Sequence, residues 1–184
     1  MIITFTGAQS SGKSTLLNKM KEDPYFKDWY FEPEITRSLK EKYNISINEQ
    51  GNCFTQMITI NSHVDNYLRN RDKNCILDRC ALDALVYTTY TCYKNKESDS
   101  LGKYAEYVFG QLKDKYNIIF YTDPSIPLVD DGVRSINVDF RNKIIELFEF
   151  YISEYNLPML VRLYGDVDQR YDTIMHNIKQ KISI

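Results

Sequence analysis

Much of what would mark a specialised chain is missing from these 184 residues. No apolar run approaches the ~20 residues that a membrane-spanning helix needs, so no membrane partner is expected. The chain opens almost at once into Ile2-Ile3-Thr4-Phe5-Thr6, which leaves no room for a signal peptide. The four cysteines (Cys53, Cys75, Cys80, Cys92) form no C-x-x-C pair, and the only histidines, His63 and His176, are isolated from them in sequence. A zinc site is therefore not expected; buried, reduced thiols in a cytoplasmic protein are. Charge of one sign is also scarce. A net charge of −2 and a pI near 5.7 exclude a broad, non-specific nucleic-acid surface and leave room only for a local basic cleft. Internal repeats, low-complexity tracts and linkers are absent, and 43% hydrophobic with 26% charged residues is an ordinary globular balance, so 1–184 reads as one domain.

What is present stands at the start. Gly7-Ala8-Gln9-Ser10-Ser11-Gly12-Lys13-Ser14-Thr15 fits G-x-x-x-x-G-K-[ST], the phosphate-binding loop. Ile2 to Thr6 before it reads as a buried strand and Leu16 to Met20 after it as a helix. A chance Gly/Ser turn would not come with both flanks. The glycines permit a tight turn that aims successive N–H groups and a helix N-terminus at a polyphosphate. Lys13 is expected at the β/γ-phosphates and the Ser14 hydroxyl on Mg²⁺.

Further along, Pro24 ends the first helix, and Trp29-Tyr30-Phe31 is a short strand. Glu32 to Arg37 opens a helix with acids in its first turn. A long helix is expected from about Asn48 to Arg71, with Phe54, Met57, Ile58, Val64, Tyr67 and Leu68 as its core stripe. Cys75 to Asp78 is a strand, Ala81 to about Tyr93 a helix, Lys94 to Ser100 a solvated loop, Leu101 to Lys115 a helix and Ile118 to Tyr121 a strand. After the loop-like stretch Asp123 to Asn137 come a helix from Val138 to Tyr155, a strand from Pro158 to Leu163, and a helix from Val167 to Ile182 that buries Val167, Tyr171, Ile174, Ile178 and Ile182. Five short apolar strands alternating with helices predict an α/β fold, a parallel sheet covered on both faces. All strand C-termini then share one edge, where ligands bind.

Residues that follow strands are therefore the candidates for chemistry. Asp78 ends its strand where a phosphate-loop enzyme keeps a Mg²⁺-holding acid; the competing role is a helix N-cap. Arg79 suits bidentate contact with a phosphate or substrate oxygen, or an ion pair with Glu34 or Asp83. Asp83 and Tyr87 lie on one helix side with Tyr90, lining a substrate pocket or simply packing. Glu34 and Arg37, spaced i,i+3, face the same edge, and Glu34 is a candidate base for an attacking hydroxyl, with Glu32 as competitor. Arg134 and Arg141, in a lid of about 124–141, would close over ATP and neutralise transition-state charge. Arg170, after Gly165-Asp166, would approach the adenine or ribose.

Taken together, GAQSSGKST, the E-x-x-R of Glu34 and Arg37, ILDRCALDALVY from Ile76, DDGVRSINVDFR from Asp130 and LYGDVDQRY from Leu163 resemble the NadR-like AAA family, the ribosylnicotinamide-kinase type of phosphate-loop kinase. The resemblance covers most of the chain. It implies a three-layer nucleotide-kinase-like core with strand order 2-3-1-4-5, ATP and Mg²⁺ as donor, a lid holding Arg134 and Arg141, and a nucleoside-like acceptor near Glu34, Asp78 and Arg79. No adenylyltransferase domain is expected alongside it in these 184 residues. The expected activity is transfer of the γ-phosphoryl of ATP to a small nucleoside or nucleotide. A hydroxymethylated pyrimidine in DNA is the less favoured acceptor, since the lysines Lys40, Lys42, Lys94 and Lys96 make only a faint basic cluster. A regulatory ATPase is the reading from another class; a GTPase switch lacks its N-K-x-D motif, because Asn95-Lys96-Glu97-Ser98 has no aspartate. A homodimer is compatible with all of these.

Overall fold

Every residue of β1 (Ile2–Thr6) and β4 (Ile118–Thr122) is buried, which places both strands inside a sheet covered on two sides. With β2 (Tyr30–Glu32), β3 (Cys75–Asp78) and β5 (Leu160–Leu163) they form one parallel sheet in the order β2-β3-β1-β4-β5. The expected order is the observed one. The structure, a computed structural model, describes residues 1–96, 99–125 and 137–182.

Period-two alternation sorts the strand side chains into two cores. Ile2, Cys75, Leu77, Ile119 and Tyr121 face the layer built from α3 (Cys53–Asn70), α4 (Ala81–Asn95), α5 (Asp99–Leu112) and α6 (Val138–Tyr155). Ile3, Phe5, Ile76, Ile118 and Phe120 face α1 (Lys13–Glu22) and α7 (Val167–Ile182), where Leu16, Leu17, Met20, Ile174 and Ile178 meet them. The remaining helix, α2 (Ile35–Tyr43), follows β2 and lies against α3. Among the described residues no helix is long and apolar enough to cross a membrane.

Three expectations change. The long helix starts at Cys53, because the Asn52 side chain accepts from Thr55 N at 3.0 Å and caps it there. Asn48–Gln50 ahead of it is a short 3₁₀ turn. The face that α3 buries is also only partly the expected stripe: Val64 and Tyr67 pack against the core, but Phe54 is 65% exposed and Leu68 53%, whereas Thr55, Gln56, Thr59 and His63 are buried beside Ile60. The apolar stripe is narrow and interrupted, so it did not determine the helix's rotation; what α2 and α4 leave between them did. In α7 Arg170 joins Ile174 and Ile178 on the buried face, while Val167 and Ile182 are carried into solvent by the first and last turns.

The rotation of α3 has a direct stability consequence. Ile60→Ala should cost about 2–5 kcal/mol, as truncation of a fully buried aliphatic does, whereas Phe54→Ser should stay within about 0.5 kcal/mol. Urea midpoints of the two variants check this; a large loss for Phe54→Ser would show that the expected stripe packs after all.

Candidate active site

The phosphate loop is shaped by three positive-φ residues, Gly7 (133°), Ser10 (56°) and Gly12 (89°). Gly7 is required twice over, since a Cβ there would lie 2.7 Å from Thr122 Oγ1 and 3.0 Å from Thr122 O. Gly12 occupies the cap position of α1 and has no side chain to satisfy the first N–H groups of the helix, which are left to an anion. The loop is tied to β4 by Ser11 Oγ and Thr122 Oγ1, 2.6 Å apart, and Thr122 Oγ1 donates on to Thr6 O at 3.1 Å. Lys13 Nζ folds over it, donating to Gly7 O and Ala8 O at 2.7 Å and to Ser11 Oγ at 3.0 Å. Burial, helped by the nearby Arg79 charge, lowers the Lys13 pKa to about 7. Ser14 is half-buried on the first turn of α1 and Thr15 is exposed.

Arg170 reaches this loop from below. It is 2% exposed, and its guanidinium donates to Ser11 O and Gly165 O at 2.8 Å, with Asp123 O and Ser125 Oγ at 3.5 Å. A reciprocal pair, Asp166 N to Gln169 Oε1 and Gln169 N to Asp166 Oδ1, starts α7 just before it. The sequence suggested a contact with adenine or ribose; the structure spends the donors of Arg170 on backbone that shapes the phosphate loop.

Beside the loop, β3 ends at Asp78, and Arg79 follows with φ 80°. The Arg79 guanidinium is gripped on two sides: Nε donates to Glu34 Oε1 at 2.6 Å, and Nη1 to Asp83 Oδ1 at 3.0 Å. Its charge lies over the Tyr87 ring, 5.5 Å from the centroid. Both ion-pair partners suggested by the sequence are thus engaged at once. Arg37 is the weaker partner of Glu34, at 3.8 Å and 41% exposed. The oxygens of Asp83 are spent on structure, since Oδ2 also accepts from Thr6 Oγ1 at 2.7 Å and Cys80 N at 3.0 Å. Glu32, the competitor for the base, is committed to Arg69 and Asn70 of α3.

Two carboxylates at this edge are pushed apart. Burial would raise Glu34, but the charge and hydrogen bond of Arg79 prevail and hold it down to about 2. Burial and the Glu34 charge raise the Asp78 pKa from its ordinary value. The Asp78 carboxyl makes no hydrogen bond among the described residues, and α4 begins only at Ala81, so the helix-cap role falls away. Of the two arginines expected in a lid, Arg141 donates to Pro124 O at 2.6 Å, bringing the start of α6 to the exit of β4. Arg134 lies outside the described residues.

On the far side of Arg79, between α2, α3 and α4, lies a cavity of about 420 Å³, counting the open space at its mouth. Thr36, Asn48 and Tyr87 line it together with Thr55, Gln56, Thr59 and His63 of α3. Tyr87 OH reaches Gln9 Oε1 of the phosphate loop at 3.4 Å, and the Tyr87 ring packs edge-on to Phe140. The four α3 residues were missed in sequence. Their signal was the polar run at i, i+1, i+4 and i+8, set aside in favour of the apolar stripe beside it.

A loop of this geometry, a parallel sheet in this order and an acid ending the strand next to the loop define the phosphate-loop nucleotide-kinase fold. Within that class the family described as AAA domain matches residues 2–170, and the chain belongs to it. Its fold is NadR-like. The NadR protein in complex with NR aligns with a TM-score of 0.76 at 19% identity, over 100% of this chain and 52% of that one. The chain thus spans about half the length of the NadR structures it matches. Deoxyadenosine kinase from M. mycoides, with dCMP and a flexible dCDP bound, aligns at 0.70 and 12% identity over 98% of this chain and 100% of that one. Thymidylate kinase from Candida albicans aligns at 0.63 and 14% identity over 97% and 91%. These are likenesses of fold. No curated protein matches the chain by sequence.

His63 gives the site a pH signature. Burial, reinforced by Arg79 and opposed by Asp83, lowers its pKa from 6.5 to about 4. Between those values the unfolded chain takes up a proton that the folded chain refuses. The stability it contributes is therefore complete above pH ~6.5 and lost as the pH falls towards 4, up to roughly 3 kcal/mol. Glu34 acts in the same direction but lower, between 4.5 and about 2. His63→Gln should flatten the stability profile between pH 4 and 6.5 in urea titrations; an unchanged slope would contradict the buried neutral imidazole.

Proposed function

We propose that this chain is an ATP-dependent phosphotransferase that moves the γ-phosphoryl of ATP to a hydroxyl of a nucleoside- or nucleotide-type small molecule. The observation that carries the reading is a pair of adjoining sites: a phosphate loop beside the Arg79–Glu34 pair, and a cavity with Arg79 in its wall and polar α3 side chains on its floor. Donor and acceptor would meet at that pair.

In this reading the N–H groups from Ala8 to Thr15 cradle the polyphosphate and Lys13 takes the β/γ-oxygens. The acceptor lies in the cavity with its hydroxyl at Glu34. Held near a pKa of 2 by Arg79, Glu34 stays ionised and aims the hydroxyl by accepting its hydrogen bond. Such a weak base suits a loose transition state, in which the acceptor proton is released late. The acceptor oxygen bonds to the γ-phosphorus, the bond to the β–γ bridging oxygen breaks, and ADP departs. Mg²⁺ fits the donors present, a Ser14 hydroxyl and an Asp78 carboxyl that makes no hydrogen bond among the described residues and whose pKa is raised by burial and by the Glu34 charge. When bound, the ion would neutralise charge on the phosphates. Arg141, with Arg134, would close the site from the lid. All four cysteines are outside disulfides, in keeping with a reducing compartment such as the cytoplasm.

An ATP-consumption panel with Mg²⁺ tests the reading across nucleosides, nicotinamide riboside, deoxynucleoside monophosphates and hydroxymethyluracil-containing DNA. Lys13→Ala should lower turnover by at least 100-fold with its thermal midpoint little changed, and Asp78→Asn should lose the Mg²⁺-dependent activity. Wild-type turnover in Lys13→Ala would sink the assignment. The lowered Lys13 pKa adds a second test. Polyphosphate favours the charged lysine, so at pH 8 ATP binding should take up a proton and weaken as the pH rises above 7. Calorimetry in buffers of different ionisation enthalpy measures that uptake; proton release would contradict it.

A further inference from the structure

The cavity floor on α3 consists of side chains that are costly to bury unless each finds a partner. Most of them do. Thr59 Oγ1 donates to Thr55 O at 2.9 Å, Thr55 Oγ1 to Asn52 Oδ1 at 3.2 Å, and Gln56 Oε1 accepts from Thr88 Oγ1 at 3.3 Å. Two groups do not. The imidazole of His63, 3% exposed, and the amide nitrogen of Gln56, 5% exposed, make no hydrogen bond among the described residues, and both residues line the cavity. They stand seven residues apart on one face of α3, roughly 10 Å along its axis, so the floor offers hydrogen bonds at two separated points. His63 is neutral, with Asp83 and Arg79 the charged groups facing it, and those two are paired with each other. A neutral imidazole supplies one donor and one acceptor nitrogen, and the free Gln56 amide supplies donors.

We propose that His63 and Gln56 read the heterocycle of the acceptor, and that His63 determines specificity for an uncharged ring with a hydrogen-bond donor and acceptor on one edge, as a nucleobase amide edge has. No group on this floor carries an unpaired positive charge to hold a phosphate, so the moiety seated here is the base-like part of the acceptor. An empty hydrogen-bonding site of this kind discriminates strongly, because a ligand that lacks the matching group leaves buried polar atoms unpaired. The inference rests on the kinase reading for the identity of the cavity as the acceptor site.

The test is equilibrium binding of adenosine, guanosine, cytidine and uridine, with their deoxy forms, in the presence of an ATP analogue with a non-hydrolysable β–γ bridge. Wild type, His63→Leu and His63→Gln are compared, with affinity for the ATP analogue followed in parallel. The expected result is that His63→Leu weakens the preferred nucleoside at least 10-fold at unchanged affinity for the ATP analogue. His63→Gln, which keeps both a donor and an acceptor, should recover most of the loss or reorder the base preference. Unchanged nucleoside affinity in His63→Leu overturns the proposal. So does failure of wild type to bind any nucleoside while it binds the ATP analogue, or a parallel loss of ATP-analogue affinity in both variants. Nucleoside binding that depends on His63, without phosphoryl transfer in the ATP panel, would refute the kinase reading and uphold the role of His63. Phosphorylation indifferent to His63 would do the reverse.

Discussion

The guanidinium of Arg79 ties together the elements that surround this site. Through Glu34 it holds the start of α2, through Asp83 the first turn of α4, and through the bond of Asp83 to Thr6 the end of the central strand β1. Removing one partner of a buried ion pair costs about 3–5 kcal/mol, because it leaves the other charge uncompensated. Here a single arginine has two carboxylate partners, so the carboxyl edge of the sheet is fixed as a unit. That fixity holds the phosphate loop and the cavity between α2, α3 and α4 in place around one pair.

The same arrangement explains how neighbouring acids acquire different characters. Glu34 has the arginine and stays ionised far into acid, whereas Asp78 lacks one and is burdened by burial and by the charge of Glu34. On the other side of the loop, Arg170 is buried among backbone carbonyls of Ser11 and Gly165, so the exits of β4 and β5 are coupled to the shape of the loop. The phosphate site is therefore supported from two directions by arginines whose donors are spent within the protein.

Much of the fold was legible because it depends on local patterns. Gly7 and Gly12 occupy positions where the backbone demands positive φ, and the β1 run Ile2-Ile3-Thr4-Phe5-Thr6 is apolar enough to be central. Asp78 and Arg79 were legible because a strand's last residue always lies on the sheet edge. The rotation of α3 was not. Phe54, Met57 and Leu68 suggested a core face, yet Thr55, Gln56, Thr59 and His63 are the buried ones. Hydrophobic periodicity marks the core face only where the neighbour is itself core; next to a cavity the polar face turns inwards.

The sequence by itself determined where the phosphate loop lies, which strands are central and which acids and arginines reach the sheet edge, since these follow from steric demands and period-two alternation along the chain. Only the tertiary structure decided how the charges are partnered. Glu34 rather than Glu32 meets Arg79, Asp83 is spent on Thr6 and Cys80, and α3 contributes a polar floor. Those outcomes depend on how helices distant in sequence pack around a shared space, and that packing is encoded in no single stretch of residues.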